Sequence, residues 1–167
     1  MLRSGIISAM GHVEHIHIAP AEGQPVQSVD EIEAVVGVGL VGDRYADHSG
    51  HWDDSKVGRE LTLVEAEALE MLVRDHGIEL QAGETRRNLT TRGVELNDLV
   101  GQTFRVGDVL MKGTELCHPC QYLTDMVGKP ILRPLAGRGG LRVQLLSSGV
   151  IRTGDQVERV AEKALSS

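Results

Sequence analysis

Two cysteines stand three positions apart in Cys117-His118-Pro119-Cys120, and the 167-residue chain has no others. A thiolate can attack sulfur, carry sulfur or bind a soft metal, so this run is the first place to look for chemistry. Four readings compete. A thioredoxin-like C-x-x-C opens a helix after the first strands of a βαβ pattern. Here the pair lies about two thirds of the way along a chain rich in strand signals, which disfavours that reading. A zinc site needs two further ligands, and no second C-x-x-C exists to supply them. His118, or His48 and His51, would have to complete it. In the third reading one thiol is a reactive sulfur or a metal ligand inside a pocket. The fourth is a pair of inert buried cysteines, against which the polar His118 and the turn-constraining Pro119 both weigh.

Arginines form the second constellation. Arg86-Arg87-Asn88 precedes a strand-like run, Arg44 follows Gly42-Asp43, and Arg138-Gly139-Gly140 with Arg142 follows the cysteines. Arginine grips phosphate or carboxylate with two parallel N–H groups, and glycine lets backbone approach an anion closely. Such a set in a chain of net charge −7 points to an anionic ligand. Taken singly, each arginine is explained as well by pairing with a surface acid. Asp43 suits a turn after Gly42, or a partner for Arg44 or a metal. His12, His15 and His17 look like a metal-ligand cluster, but His15 and His17 share one strand face without acidic support, and solvated strand histidines are the better reading.

Composition limits the class. Charged residues make up 25% and hydrophobic residues 41%, as in an ordinary globular domain. Trp52, Tyr45, Tyr122 and Phe104 are the only aromatic residues apart from histidine, so Leu, Val, Ile and Ala must build the core. The acidic balance and scarce aromatic rings argue against nucleic-acid binding. Two cysteines make no disulfide framework, which places the chain in a reducing cytoplasm. The broken apolar run from Ile6 to Met10 is too short for a signal-peptide core, and no stretch approaches transmembrane length.

The elements that must hold these residues are mainly strands. Short β-branched runs between the 20 glycines predict strands at 5–9, 15–19, 31–38, 88–92, 103–114, 141–146 and 156–160. Gly107-Asp108 and Gly154-Asp155 read as turns feeding strands. Thr62-Leu63-Val64-Glu65 has capping-box spacing, and Val64, Ala68 and Leu72 continue a helical stripe. This predicts a helix over 63–76 with Thr62 as N-cap and Gly77 as its stop. A shorter helix is expected from Pro119 or Cys120 to Met126, ended by Gly128 and Pro130. The polar segment 43–58 reads as a long loop, and 163–167 as a frayed tail after a single domain over 1–162.

Six landmarks occur in a familiar order: Gly39-Leu40-Val41-Gly42-Asp43-Arg44; Arg59-Glu60-Leu61-Thr62-Leu63; Gly83 through Arg86-Arg87-Asn88-Leu89 to Gly93; Leu116-Cys117-His118-Pro119-Cys120; Arg138-Gly139-Gly140; and Gly149-Val150-Ile151-Arg152-Thr153-Gly154-Asp155. Together they resemble the MOSC domain, named for the C-terminal domain of molybdenum cofactor sulfurases, and most of all its small stand-alone bacterial members. The resemblance runs from about Gly5 to Val160. It implies a strongly curved β-barrel with a few peripheral helices and one reactive cysteine, which maps onto Cys120 as catalytic thiol and metal ligand, with Cys117 beside it in the catalytic set as an accessory or resolving thiol. It implies the molybdenum cofactor (molybdopterin) as ligand, with Gly42, Asp43, Arg44, Arg86, Arg87, Asn88, Arg138, Gly139 and Gly140 at its site. The implied activities are sulfur transfer, fed by a cysteine desulfurase, or reduction of N-hydroxylated compounds with electrons from a partner reductase. A non-catalytic module binding an anion or a partner, and a zinc-stabilised C-x-x-C protein, are the alternatives.

Overall fold

Seven strands close into a barrel in the computed structural model, which describes residues 7–19, 26–43, 60–117 and 121–160. In chain order the elements are β1 (Ile7–Ile18), β2 (Gln27–Val29), β3 (Glu31–Val35), β4 (Gly39–Leu40), β5 (Leu61–Glu65), α1 (Ala66–His76), β6 (Leu89–Arg92), β7 (Thr103–Val106), β8 (Val109–Leu116), α2 (Gln121–Val127), β9 (Leu141–Leu145), β10 (Gly149–Arg152) and β11 (Gln156–Val160). Round the barrel the order is β1, β11, β7, β8, β9, β5, β6 and back to β1. Every neighbour is antiparallel except β5 with β6. β2 extends the sheet from the far end of β1, and β10, β3 and β4 form a separate three-stranded sheet.

β1 makes closure possible. Its first half pairs with β11 and its second half with β6, with register shifts between Ala9 and Gly11 and between Val13 and His15. Bulges bend a strand and increase its twist, which a small closed barrel requires. Gly11 sits where an added Cβ would lie 1.9 Å from the carbonyl oxygen of Arg92, so only glycine permits this approach. The predicted strands at 5–9 and 15–19 are therefore one strand. The predicted strand at 103–114 is a hairpin, broken at Gly107-Asp108, and that at 31–38 ends at Val35 in a turn.

Inside the barrel, Leu61, Leu63, Leu89, Leu99, Phe104, Met111, Leu141 and Val143 are buried among further aliphatic side chains. A second apolar cluster lies outside the barrel wall. There Ala68, Leu69, Met71 and Leu72 of α1 meet Leu80, Ile131 and Leu135. β5, which runs directly into α1, is buried on both faces, all five of its residues being buried.

This corrects the predicted start of the helix. Thr62 does not cap α1; it lies in the middle of β5, and the helix begins at Ala66. Glu65 takes the N-cap position without a side-chain cap bond. A strand buried on both faces shows no alternation, so its run of apolar residues merges with the helical stripe that follows. The C-terminal stop is as expected: Gly77 is left-handed, its N–H donates to the Val73 carbonyl, and the Ile78 N–H donates to that of Leu72. The expected short helix is α2, followed by left-handed Gly128.

Candidate functional site

One row of polar residues crosses the outer face of the barrel wall at a single level. Strand register places Glu115 of β8 opposite Arg142 of β9, and Arg142 opposite Thr62 of β5. Thr62 is bonded to Asn88, just before β6. Asn88 is bonded to His17 of β1, and His17 is paired with Ser28 of β2. At the next level Leu116, Leu141, Leu63, Leu89 and Ile16 are paired and packed against the inner core. Neighbouring strands lie about 4.8 Å apart, so the row from Glu115 to His17 covers roughly 19 Å of curved surface.

Asn88 is the centre of the row and is 1% exposed. Its Oδ1 accepts from the Thr62 N–H at 3.0 Å and from the Thr62 hydroxyl at 3.3 Å. Its own N–H donates to Thr62 Oγ1 at 3.1 Å, and its Nδ2 donates to the His17 carbonyl at 3.1 Å. The His17 N–H in turn donates to the Asn88 carbonyl at 2.7 Å. One side chain thus joins β1, β5 and the start of β6.

The two preceding residues diverge. Arg86 ends a short 3-10 turn (Ala82–Thr85) in the left-handed region, φ 62°, which is uncommon for a residue with a side chain. Arg87 reaches the other way, and its Nε donates to the Gly139 carbonyl at 2.8 Å. Gly140, at φ 122°, lies so close to β5 that an added Cβ would be 2.2 Å from the Leu63 carbonyl oxygen. Its own carbonyl accepts from the Cys117 N–H at 2.8 Å. The glycine pair thus connects the Arg87 side chain to the backbone that leads into the C-x-x-C run. Arg138 is engaged elsewhere: its Nη2 lies 2.6 Å from Glu65 Oε1, while Glu65 Oε2 accepts from the Leu96 N–H. Pairing with a nearby acid is therefore the role the described residues give Arg138.

Cys117 is 1% exposed and unbridged. Cys120 and Arg44 lie outside the described residues, as do His48 and His51. Gly42 is left-handed at φ 88°, and Asp43 turns inward. Its Oδ1 accepts from the Ala19 N–H at 2.9 Å, two residues beyond His17. Asp43 is thus more than a turn residue, because its carboxylate ties the residues before Arg44 to the end of β1.

A cavity of about 450 Å³ opens beside the row, lined by His17, Ser28, Gln81, Arg86, Met126 and Val127 among others. His17 sits over Gly83, where an added Cβ would come within 2.9 Å of the ring. Burial, and then the neighbouring His15, hold its pKa below the ordinary histidine value. Its Nδ1 is buried without a hydrogen-bond partner. His17 is thus no solvated strand histidine, although His15 beside it is exposed. Sequence reasoning passed over His17 and took Thr62 for a helix cap. Neither carries a local motif, because the row is assembled from segments far apart in the chain. Among the described residues, no three His, Cys, Asp or Glu side chains form a metal-binding set, and no helix is long and apolar enough to cross a membrane.

Comparison with known proteins places the architecture. The model of the MOSC domain matches residues 44–158. No curated protein matches the chain. Among solved structures, the YuaD protein from Bacillus subtilis is similar over 93% of this chain and 97% of its own, with TM-score 0.78 and 16% identity. YiiM from Escherichia coli is similar over 90% of this chain and 70% of its own, with TM-score 0.67 and 19% identity. YiiM from Geobacillus stearothermophilus covers 92% and 75%, with TM-score 0.64 and 15% identity. At these identities the likeness concerns the fold.

Proposed function

The chain belongs to the MOSC domain family, a molybdenum-cofactor-related domain, and from that membership we propose that it binds the molybdenum cofactor across the polar row, with Cys120 as the sulfur that meets the metal. The observation that carries this reading is convergence. Arg87-Asn88 and Gly139-Gly140 are distant in sequence, yet Arg87 donates to the Gly139 carbonyl, Asn88 is bonded to Thr62 of β5, and the Gly140 carbonyl accepts from the N–H of Cys117, three residues before Cys120.

The residues present fit such a ligand. A pterin with a phosphate asks for cations and close glycine approach, and the cavity beside the row offers Arg86 and Gly83. The unpartnered Nδ1 of His17 adds a buried polar atom at that cavity. Arg86 and Arg87, with Arg44 as a further candidate from the sequence, would meet the anionic end. Cys117 is buried, and Cys120 is the thiol to which this reading assigns the chemistry. Molybdenum accepts a soft thiolate, and when bound it supplies two-electron oxygen-atom chemistry. The electrons for reduction of an N-hydroxylated compound would come from a separate reductase. A cytoplasmic setting keeps both thiols reduced.

The test is elemental, pterin and mass analysis of the protein made in cells that synthesise the cofactor. The expected result is equimolar molybdenum and pterin in the wild type, both lost in Cys120→Ser with the fold intact. A mass increase of one sulfur on Cys120 without molybdenum would make the protein a sulfur carrier, loaded by a desulfurase. Ligand binding unchanged by Cys120→Ser would make it a non-catalytic anion-binding module. Zinc, lost with unfolding on Cys117→Ser, would overturn the reading in favour of a structural metal.

A further inference from the structure

Arg142 is the most buried of the described ion-paired arginines, with its side chain 13% exposed, and it has the poorest partner. Its Nε is buried and makes no hydrogen bond. The nearest carboxylate oxygen, on Glu115, is 3.7 Å away on a side chain that is 52% exposed. Arg138 and Arg87 are closely engaged by comparison, Arg138 with Glu65 at 2.6 Å and Arg87 with the Gly139 carbonyl at 2.8 Å. A buried N–H donor costs free energy until it is hydrogen-bonded, and a 3.7 Å contact to a half-exposed carboxylate is too long to satisfy it.

Position makes the arrangement informative. Arg142 stands in the polar row between Glu115 and Thr62, on the outer face of β9. Its strand partner Glu115 is two residues before Cys117. Gly140, two residues before Arg142, accepts the Cys117 N–H. A group bound by Arg142 would therefore lie beside the segment that carries the reactive thiol.

We propose that Arg142 is an anion-holding residue of this site, receiving a phosphate or carboxylate group of the ligand through its unpartnered Nε–H. The proposal rests on the proposed function only for the identity of the ligand. The phosphate of a pterin cofactor and a free oxyanion share this chemistry.

Thermal unfolding with and without inorganic phosphate at constant ionic strength tests it, together with pterin retention during expression. Phosphate raises the Tm of the wild type. In Arg142→Met that rise is lost, while the Tm in phosphate-free buffer stays within a degree or two of wild type. Arg142→Lys keeps a charge but loses the fork, and binds phosphate about tenfold more weakly. Glu115→Gln binds phosphate more tightly, because a like charge has been removed. Loss of pterin in Arg142→Met identifies the cofactor's phosphate as occupant. Retained pterin with a lost phosphate response identifies a free anion. An equal phosphate response in wild type, Arg142→Met and Arg142→Lys overturns the proposal. So does a phosphate-free Tm loss in Arg142→Met as large as that of Arg138→Met, which would make Arg142 a structural ion-pair partner. A wild type without molybdenum or pterin whose phosphate response still depends on Arg142 would sink the cofactor reading and leave this one standing.

Discussion

Replacing Asn88 by alanine should be among the most damaging changes a single polar side chain can undergo in this protein. The side chain is 1% exposed and accepts from the Thr62 N–H and hydroxyl while donating to the His17 carbonyl. Its removal leaves a buried N–H and a buried carbonyl without their partner, each costing about 1–3 kcal/mol. The small cavity adds to this, so the total is about 3–5 kcal/mol. For a domain stabilised by roughly 5–15 kcal/mol, that is a large share. At about 2–4 °C per kcal/mol for a chain of this size, the Tm should fall by roughly 6–20 °C. Urea unfolding at constant m-value is the assay. Asn88→Asp still accepts from Thr62 but sets a buried carboxylate against the His17 carbonyl, and should cost at least as much as Asn88→Ala at neutral pH. Thr62→Val removes the acceptor of the Asn88 N–H, so the double variant Thr62→Val/Asn88→Ala should cost less than the sum of the two. A loss below about 1 kcal/mol for Asn88→Ala, or strict additivity, would refute the claim that this residue joins the three strands.

Three further outcomes are expected. Gly140→Ala puts a methyl group 2.2 Å from the Leu63 carbonyl at φ 122° and should cost about 3 kcal/mol or more, whereas Gly128→Ala, with open space at φ 70°, should cost about 1 kcal/mol; denaturant midpoints of the two variants make the comparison. Because burial depresses the His17 pKa, the unfolded chain takes up its proton first as pH falls. Its stabilising contribution is full above the ordinary value of 6.5 and is lost as pH drops through the lowered folded value, a decline that His17→Gln should remove from a stability–pH series. Cys117, buried at the end of β8, should resist a thiol reagent in native Cys120→Ser and react only on unfolding, which timed labelling with mass readout will check.

Much of the strand framework was legible in the sequence, for an identifiable reason. Strands that face the core on one side and solvent or a loop on the other carry local signals. β9 and β11 are bounded by turn residues, and the runs at 141–146 and 156–160 were placed within a residue of the observed strands. β5 was not legible, because burial on both faces erased its alternation and the helix after it supplied a competing pattern. β10 and the short β2 and β4 were missed. With two to four residues each, they are held by their partners more than by propensity.

The site divides in the same way. By itself the sequence determined which side chains were available: a thiol pair, arginines beside glycines, and an Asn after two arginines. These types follow from local chemistry and stand in order along the chain. Only tertiary structure decided which of them work together. Closing the barrel set Glu115, Arg142, Thr62 and His17 of four strands, and Asn88 just before a fifth, at one level. It spent Arg138 on Glu65, buried Cys117, and left Arg142 with a loose partner. The reason is that strand register is a long-range property. It depends on how distant segments align across the sheet, and no spacing within any one segment encodes it.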